Sequence, residues 1–251
     1  IDALQQRVDE IDQISCWRYE AEAARLLAGI LSDARYDDPL RLERHGHKVF
    51  SQNDEDGLLS EIFRRIGTTN RRFVEIGVGD GLENNTRCLL EQGWSGSWLE
   101  GDSGCVTAIQ TRFRHEIAEG RLSVSPGLVA RESMEELILA LAPPRDLDLF
   151  SIDIDGNDYH VWQAIACIEP RVVVIEYNAK YRPPLHWVMD YDPAHRWDGT
   201  DQFGASLVAL AELGQRKGYR LVGCNITSPN GVFVRSALAE SGADVRIGEV
   251  L

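Results

Sequence analysis

The stretch FVEIGVGDG, residues 73–81, constrains this chain more than any other. An apolar run ends on an acid, Glu75, and glycines follow at alternate positions, Gly77, Gly79 and Gly81. This reads as a strand running into a Gly-rich turn and then a helix. α/β proteins hold adenosine-containing cofactors in this way. The glycines let backbone approach the ligand and take up positive φ, and the helix that follows turns its N-terminus toward the ligand's polar end. A dinucleotide fingerprint would read G-x-G-x-x-G. Here the spacing is G-x-G-x-G, Leu82 stands where the last fingerprint glycine would fall, and the acid precedes the first glycine.

From Arg72 onward the pattern alternates between strands and helices, which predicts a doubly wound, mostly parallel α/β sheet. Strands are expected over 73–76, 96–99, 122–124, 147–152 and 171–176. Helices are expected over 85–92, 105–119, 133–141 and 158–168. A helix over 203–217 and two last strands, 219–224 and 231–235, joined by the turn TSPNG, complete a seven-stranded Rossmann-like sheet. VVVIE at 172–176 carries the strongest β signal. Upstream, Ile1, Leu4, Val8, Ile11 and Ser15 keep a heptad-like spacing, and 19–31 is rich in Ala and Leu. Residues 1–48 therefore read as a helical arm and a linker (37–46), and 49–251 as the main domain. The arm could serve self-association, cover the site as a lid, or pack on the domain's own flank. Ser51 or Asn53 is placed to cap a helix running to about Arg65.

Composition narrows the function classes. The 251 residues carry a formal charge of −14, which disfavours nucleic acid and anionic membranes as partners and leaves a small neutral or cationic molecule. No apolar run approaches the ~20 residues of a membrane span. The acidic, amphipathic start IDALQQRVDEID is unlike a secretory leader, so the expected location is the cytoplasm. The five cysteines form no C-x-x-C pair and are odd in number, which argues against a zinc site or a disulfide framework.

Ligands of open α/β sheets bind beyond the carboxyl ends of the strands, and polar residues gather there. The second strand ends at Glu100, placed to accept hydrogen bonds from both hydroxyls of a ribose; Asp102 follows and either joins it or caps the next helix. Asn84, Asn85 and Thr86 open the helix after the glycines, where amides suit a carboxylate or simply cap. SIDIDGND brings Asp153, Asp155 and Asp158 around a glycine turn. Asp153 and Asp155 with Glu176 and Asn178 could form an oxygen-ligand site for Mg²⁺, able to lower the pKa of an acceptor oxygen; the other reading leaves Asp153 to position the cofactor and Asp158 to cap a helix. His160 and His186 are candidate general bases. The long segment 179–202 has the length of a binding loop. Its Tyr181, Trp187, Tyr191 and Trp197, with Tyr177 before it, are candidates for an acceptor pocket.

EIGVGDG, the acid in WLEGD, SIDIDGND, VVVIEYN and the closing LVGCN…GVFVR together resemble the class I S-adenosylmethionine (SAM) methyltransferases over about residues 50–235, and the spacing is similar to their FkbM-like branch. The resemblance implies SAM as cofactor and methyl transfer to a small-molecule acceptor, on oxygen. It also implies an antiparallel seventh strand. Glu75, Gly77 and Gly79 would then line the methionine end of SAM, Glu100 would hold the ribose, residues 129–132 would lie near the adenine, and Asp153 would sit beside the transferred methyl, with Gly81, Asn85, Thr86 and Asp102 as further cofactor-binding candidates. Metal-dependent members carry an adjacent acidic pair after the fifth strand, where this chain has Glu-Tyr-Asn. A nicotinamide-dependent oxidoreductase and a non-catalytic SAM-binding module are the alternative readings.

Overall fold

The computed structural model describes residues 2–226 and 230–239. Seven strands form one sheet: β1 (Arg72–Ile76), β2 (Ser95–Glu100), β3 (Leu122–Pro126), β4 (Leu149–Ile152), β5 (Val172–Glu176), β6 (Tyr219–Cys224) and β7 (Asn230–Arg235), in the order β3-β2-β1-β4-β5-β7-β6. β3-β2-β1-β4-β5 are parallel neighbours, and β7 runs antiparallel between β5 and β6. This is the expected Rossmann-like fold with its antiparallel last strand. A dinucleotide fold would run 3-2-1-4-5-6; here the antiparallel β7 separates β5 from β6. Of the turn TSPNG, residues 227–229 lie outside the described residues.

β4 and β5 are buried along their length, apart from half-buried Glu176, because both faces of the sheet are covered. One face packs Phe73, Trp98, Leu149 and Val174 against α2 (Glu55–Ile66), α3 (Arg87–Glu91) and α4 (Ser103–Arg112). The other packs Val74, Phe150, Val173 and Phe233 against α6 (Met134–Ala140), α7 (Asp158–Ala164) and α8 (Leu207–Arg216). The helix expected over 105–119 is two, α4 and α5 (Arg114–Ala118), broken at Phe113, whose ring turns into the core. The stretch expected as a linker carries the short turn Leu42–His45, whose Leu42 is fully buried in the core, so this part of the chain packs with the main domain. Neither Ser51 nor Asn53 occupies the N-cap of α2, which is Asp54, yet the Ser51 hydroxyl still accepts the Asp56 N–H (3.3 Å).

α1 (Asp2–Leu31) is a single 30-residue helix. Its described side chains from Trp17 to Ile30 are exposed except for half-buried Leu27, so this part of the arm does not lie against the domain's flank. The side chains of Ile1, Leu4, Val8 and Ile11 lie outside the described residues.

Below the sheet, at the amino ends of β1 and β4, Asp148 acts as a staple. Its buried carboxylate accepts the N–H groups of Thr69, Asn70 and Arg71 at 2.7–3.0 Å and sits 3.1 Å from the Arg171 Nε. No described helix is long and apolar enough to cross a membrane.

Candidate functional site

The chain leaves β1 toward β2 on one side and later crosses to β4 on the other. A crevice must therefore open between the carboxyl ends of β1 and β4. A cleft of about 690 Å³ lies there, of the size that holds a cofactor. Its walls come from the glycine turn, Glu100–Asp102 after β2, Gly127–Val129 after β3, Asp153–Asp155 after β4 and His195–Trp197 from the loop after β5.

The turn is glycine-built for a physical reason. Gly77, Gly79 and Gly81 all have positive φ (+76°, +55° and +77°). A Cβ on Gly77 would stand 1.6 Å from the Asp153 carbonyl oxygen, whereas a Cβ on Gly79 would meet nothing within 4 Å. The first glycine lets the tips of β1 and β4 close together; the second leaves space on the cleft side.

Glu75 lines the floor of the cleft, as its position suggested, and its carboxylate is also tied to the loop after the glycines. Its carboxylate is buried and occupied: it accepts the Asn84 amide (2.6 Å), the Asn85 N–H (2.8 Å), and the Thr86 N–H (3.1 Å) and hydroxyl (2.5 Å). Burial pushes it up to about 7 against the pull of these bonds. It organises the loop that walls the cleft. Thr86, completely buried, shares its hydroxyl between Glu75 and the Trp98 indole N–H (2.7 Å), and so does not reach a ligand. Asn85 lines the cleft, but its amide donates to Ser151 (3.0 Å). The helix-start donors expected to greet a carboxylate are thus turned inward onto Glu75.

Glu100 stands where it was expected, at the carboxyl end of β2 and facing the cleft. One oxygen accepts the Gly79 N–H and the other the Asp102 N–H, both at 2.8 Å. A carboxylate offers about four acceptor sites, so capacity remains for a diol. Asp102 lines the rim while capping α4 through the Cys105 N–H (2.8 Å). The backbone N–H groups of Cys105 and Gly104 hold its pKa below the ordinary value.

The acids after β4 and β5 converge. Oxygens of Asp153, Asp155 and Glu176 lie within 4.8 Å of one another. Asp155 holds a left-handed φ of +54°, a conformation non-glycine residues seldom adopt. Burial, then repulsion from neighbouring carboxylates, drives Asp153 well above its ordinary value and Glu176 to about 10. Among the described residues no Lys or Arg pairs with these carboxylates. Three hard oxygen donors with no counter-cation fit a divalent ion such as Mg²⁺. Asn178 does not join them: its amide donates to the carbonyls of Asp201 and Phe203 and accepts the Lys180 N–H, pinning the long loop. Asp158 does not cap α7, whose N-cap is Asn157; it opens the helix, and its carboxylate accepts the N–H groups of Ile154 and Gly156 in the turn before it.

Neither candidate base is in the cleft. The His160 ring bonds the Met189 carbonyl (2.8 Å) and lies against Tyr191, and His186 faces Glu212 on the surface. Of the candidate acceptor-pocket aromatics only Trp197 lines the cleft. Tyr181 stacks on Trp187 (4.2 Å), Tyr191 binds Glu132 and carries Arg131 over its ring, and Tyr177 is packed against the core beside Cys224. Sequence reasoning missed His195 and Arg196, which line the same wall. The His195 Nε2–H donates to the Asp155 carbonyl (3.0 Å). It also missed Asn230 and Glu55, joined by a 2.8 Å bond at the far end. The pairing of Glu176 with Asn230 explains the first: an antiparallel β7 begins where β5 ends.

No family model and no curated protein matches this chain. Among solved structures it is similar to the METTL16 MTase domain (14% identity, 71% of this chain and 64% of that one, TM-score 0.43). It is similar also to the N-terminal domain of EvdMO1 with SAH bound (14% identity, 74% and 81%, TM-score 0.44). A third is the O-methyltransferase from Bacillus cereus in complex with SAH (18% identity, 64% and 66%, TM-score 0.41). The chain thus spans slightly less than two thirds of the length of the first and third. Likeness at this level transfers no residue role and no substrate.

Proposed function

We propose that this chain is a SAM-dependent methyltransferase acting on a small-molecule oxygen, assisted by a divalent cation. The observation that carries the reading is the glycine turn at the β1/β4 switch point sharing one cleft with Glu100. When bound, SAM supplies an electrophilic methyl carbon and the cation supplies Lewis acidity toward the acceptor oxygen. Glu100 accepts from the ribose hydroxyls, Gly127–Val129 flank the base, and the Gly77–Gly79 backbone with Asn84 and Asn85 surrounds the amino-acid end. Asp153, Asp155 and Glu176 hold the cation and so face the acceptor. Trp197, His195 and Arg196 wall the acceptor side. Transfer to a held acceptor asks chiefly for alignment, worth several orders of magnitude in rate, and the rigid floor made by Gly77 against Asp153 serves that need.

The test is calorimetric titration with SAH, with Mg²⁺ or with EDTA, and NADH as a control. SAH binds and NADH does not. Glu100→Gln weakens SAH about tenfold or more, the worth of a hydrogen bond to a charged group, and lowers the melting temperature by a few degrees, because one of the two backbone N–H groups it accepts then faces an amide NH2. Mg²⁺ alone raises the melting temperature of the parent but not of Asp155→Asn. No SAH affinity under either condition would sink the cofactor reading; an Mg²⁺ response that survives Asp155→Asn would remove the cation site.

A further inference from the structure

The three carboxylates that would hold a cation are not fixed in the same way. Glu176 ends β5, and Asp153 follows β4 directly with its N–H on the Ile76 carbonyl (3.1 Å), so the sheet places both. Asp155 lies beyond the sheet, is exposed, and holds the left-handed φ of +54°. Residues other than glycine populate that region sparsely, so the direction of its carboxylate depends on what clamps the turn. Asp158 accepts the N–H groups on either side of Asp155, those of Ile154 and Gly156, each at 2.9 Å. The Asp155 carbonyl is taken by the loop after β5, through the His195 Nε2–H at 3.0 Å.

The chain around that bond fits closely. Segment 192–195 folds on itself, the His195 N–H donating to the Asp192 carbonyl (3.0 Å), and the Asn157 amide ties the same carbonyl to the acidic turn (2.7 Å). The imidazole lies against Gly156. A Cβ at Gly156 would stand 2.4 Å from the His195 Cδ2 and 2.7 Å from its Nε2, and the three nearest atoms it would meet all belong to that ring. Gly156 does not take a positive φ. Backbone freedom therefore does not call for glycine here; room for the ring does.

We infer that His195 is a positioning residue: its bond to the Asp155 carbonyl fixes the turn that aims the Asp155 carboxylate toward Asp153 and Glu176, and so sets the affinity for a divalent cation. The inference rests on the cation reading proposed above. With Nε2 spent on a carbonyl, the ring acts through Asp155. Groups that orient metal ligands in this way carry about tenfold to a hundredfold in affinity.

Calorimetric titration of the full chain with Mn²⁺, which favours the same oxygen donors as Mg²⁺, is the test. The parent binds. His195→Ala weakens Mn²⁺ about tenfold or more, and His195→Gln, whose amide donates from nearly the place of Nε2, recovers most of the loss. Gly156→Ala pushes the ring aside and weakens Mn²⁺ to a similar degree. In a His195→Ala background it adds nothing, because the atoms its methyl would strike are gone; a double-mutant cycle isolates that coupling. His186→Ala, on the surface, changes nothing. SAH affinity in EDTA stays at the parent's value in every variant. A parent that binds no Mn²⁺ overturns the cation reading and this inference with it. If the parent binds, a His195→Ala chain that binds equally well overturns the positioning alone. So do additive losses from His195→Ala and Gly156→Ala, a His195→Gln chain no better than His195→Ala, or SAH affinity that falls in step.

Discussion

Gly77→Ala and Gly79→Ala look alike in sequence and should behave oppositely. Both impose a Cβ on backbone with positive φ, +76° and +55°, which costs about 1–2 kcal/mol for an L-residue. At Gly79 nothing further is met within 4 Å. At Gly77 the new carbon would stand 1.6 Å from the Asp153 carbonyl oxygen, and a backbone atom just past the end of the central strand β4 cannot rotate away as a side chain would. The tips of β1 and β4 must separate, adding about 1–3 kcal/mol of overpacking. Gly77→Ala is therefore expected to lose about 2–5 kcal/mol in all, and Gly79→Ala only about 1–2. Urea unfolding measures the difference, and each kcal/mol corresponds to roughly 2–4 °C in melting temperature for a chain of this size. SAH titration then separates packing from ligand contact. Gly79→Ala stays folded but fills space the cofactor needs, so its affinity falls at least tenfold. Equal stabilities for the two variants would refute the steric argument, and a Gly79→Ala chain that binds SAH like the parent would show that the cofactor does not use that space.

Three further outcomes follow from the geometry. Asp148→Asn leaves Arg171 facing a neutral amide and weakens three backbone bonds, and should cost about 3 kcal/mol in urea unfolding, the low end for a broken buried pair. Glu75, pushed up to about 7, binds a proton more readily folded than unfolded, so stability should fall as pH rises from about 4.5 to about 7. Glu75→Gln should flatten that slope; an unchanged slope would assign it to other carboxylates. Asn178→Ala removes three hydrogen bonds that pin the long loop, roughly 1 kcal/mol each, and limited proteolysis should cut within residues 180–203 faster while the sheet resists.

The fold was legible because its signals are periodic. Alternating apolar strands and helical faces give the order of elements, and glycines after an acid mark the turn. The site was legible only where a residue's place follows from a strand end, as for Glu100, Asp153 and Glu176. Whether Glu75 faces ligand or loop depends on how the chain doubles back nine to eleven residues later, and local pattern does not carry that. The aromatics of 179–202 fared worst, since irregular chain has no period to say which way a ring points. Trp197 reaches the cleft while Tyr181 and Trp187 stack on each other. His195 and Arg196 carried no signal beyond their position in the same loop.

The Trp98 indole, buried against Phe113 in the core, donates to Thr86, and Thr86 donates in turn to Glu75. One consequence concerns genetics. A selection for variants that no longer hold the proposed cofactor would return substitutions at Trp98, fully buried in the core, alongside those at Glu100. The two groups would part on heating, because truncating Trp98 empties the core and melts the fold well before a change at Glu100 does.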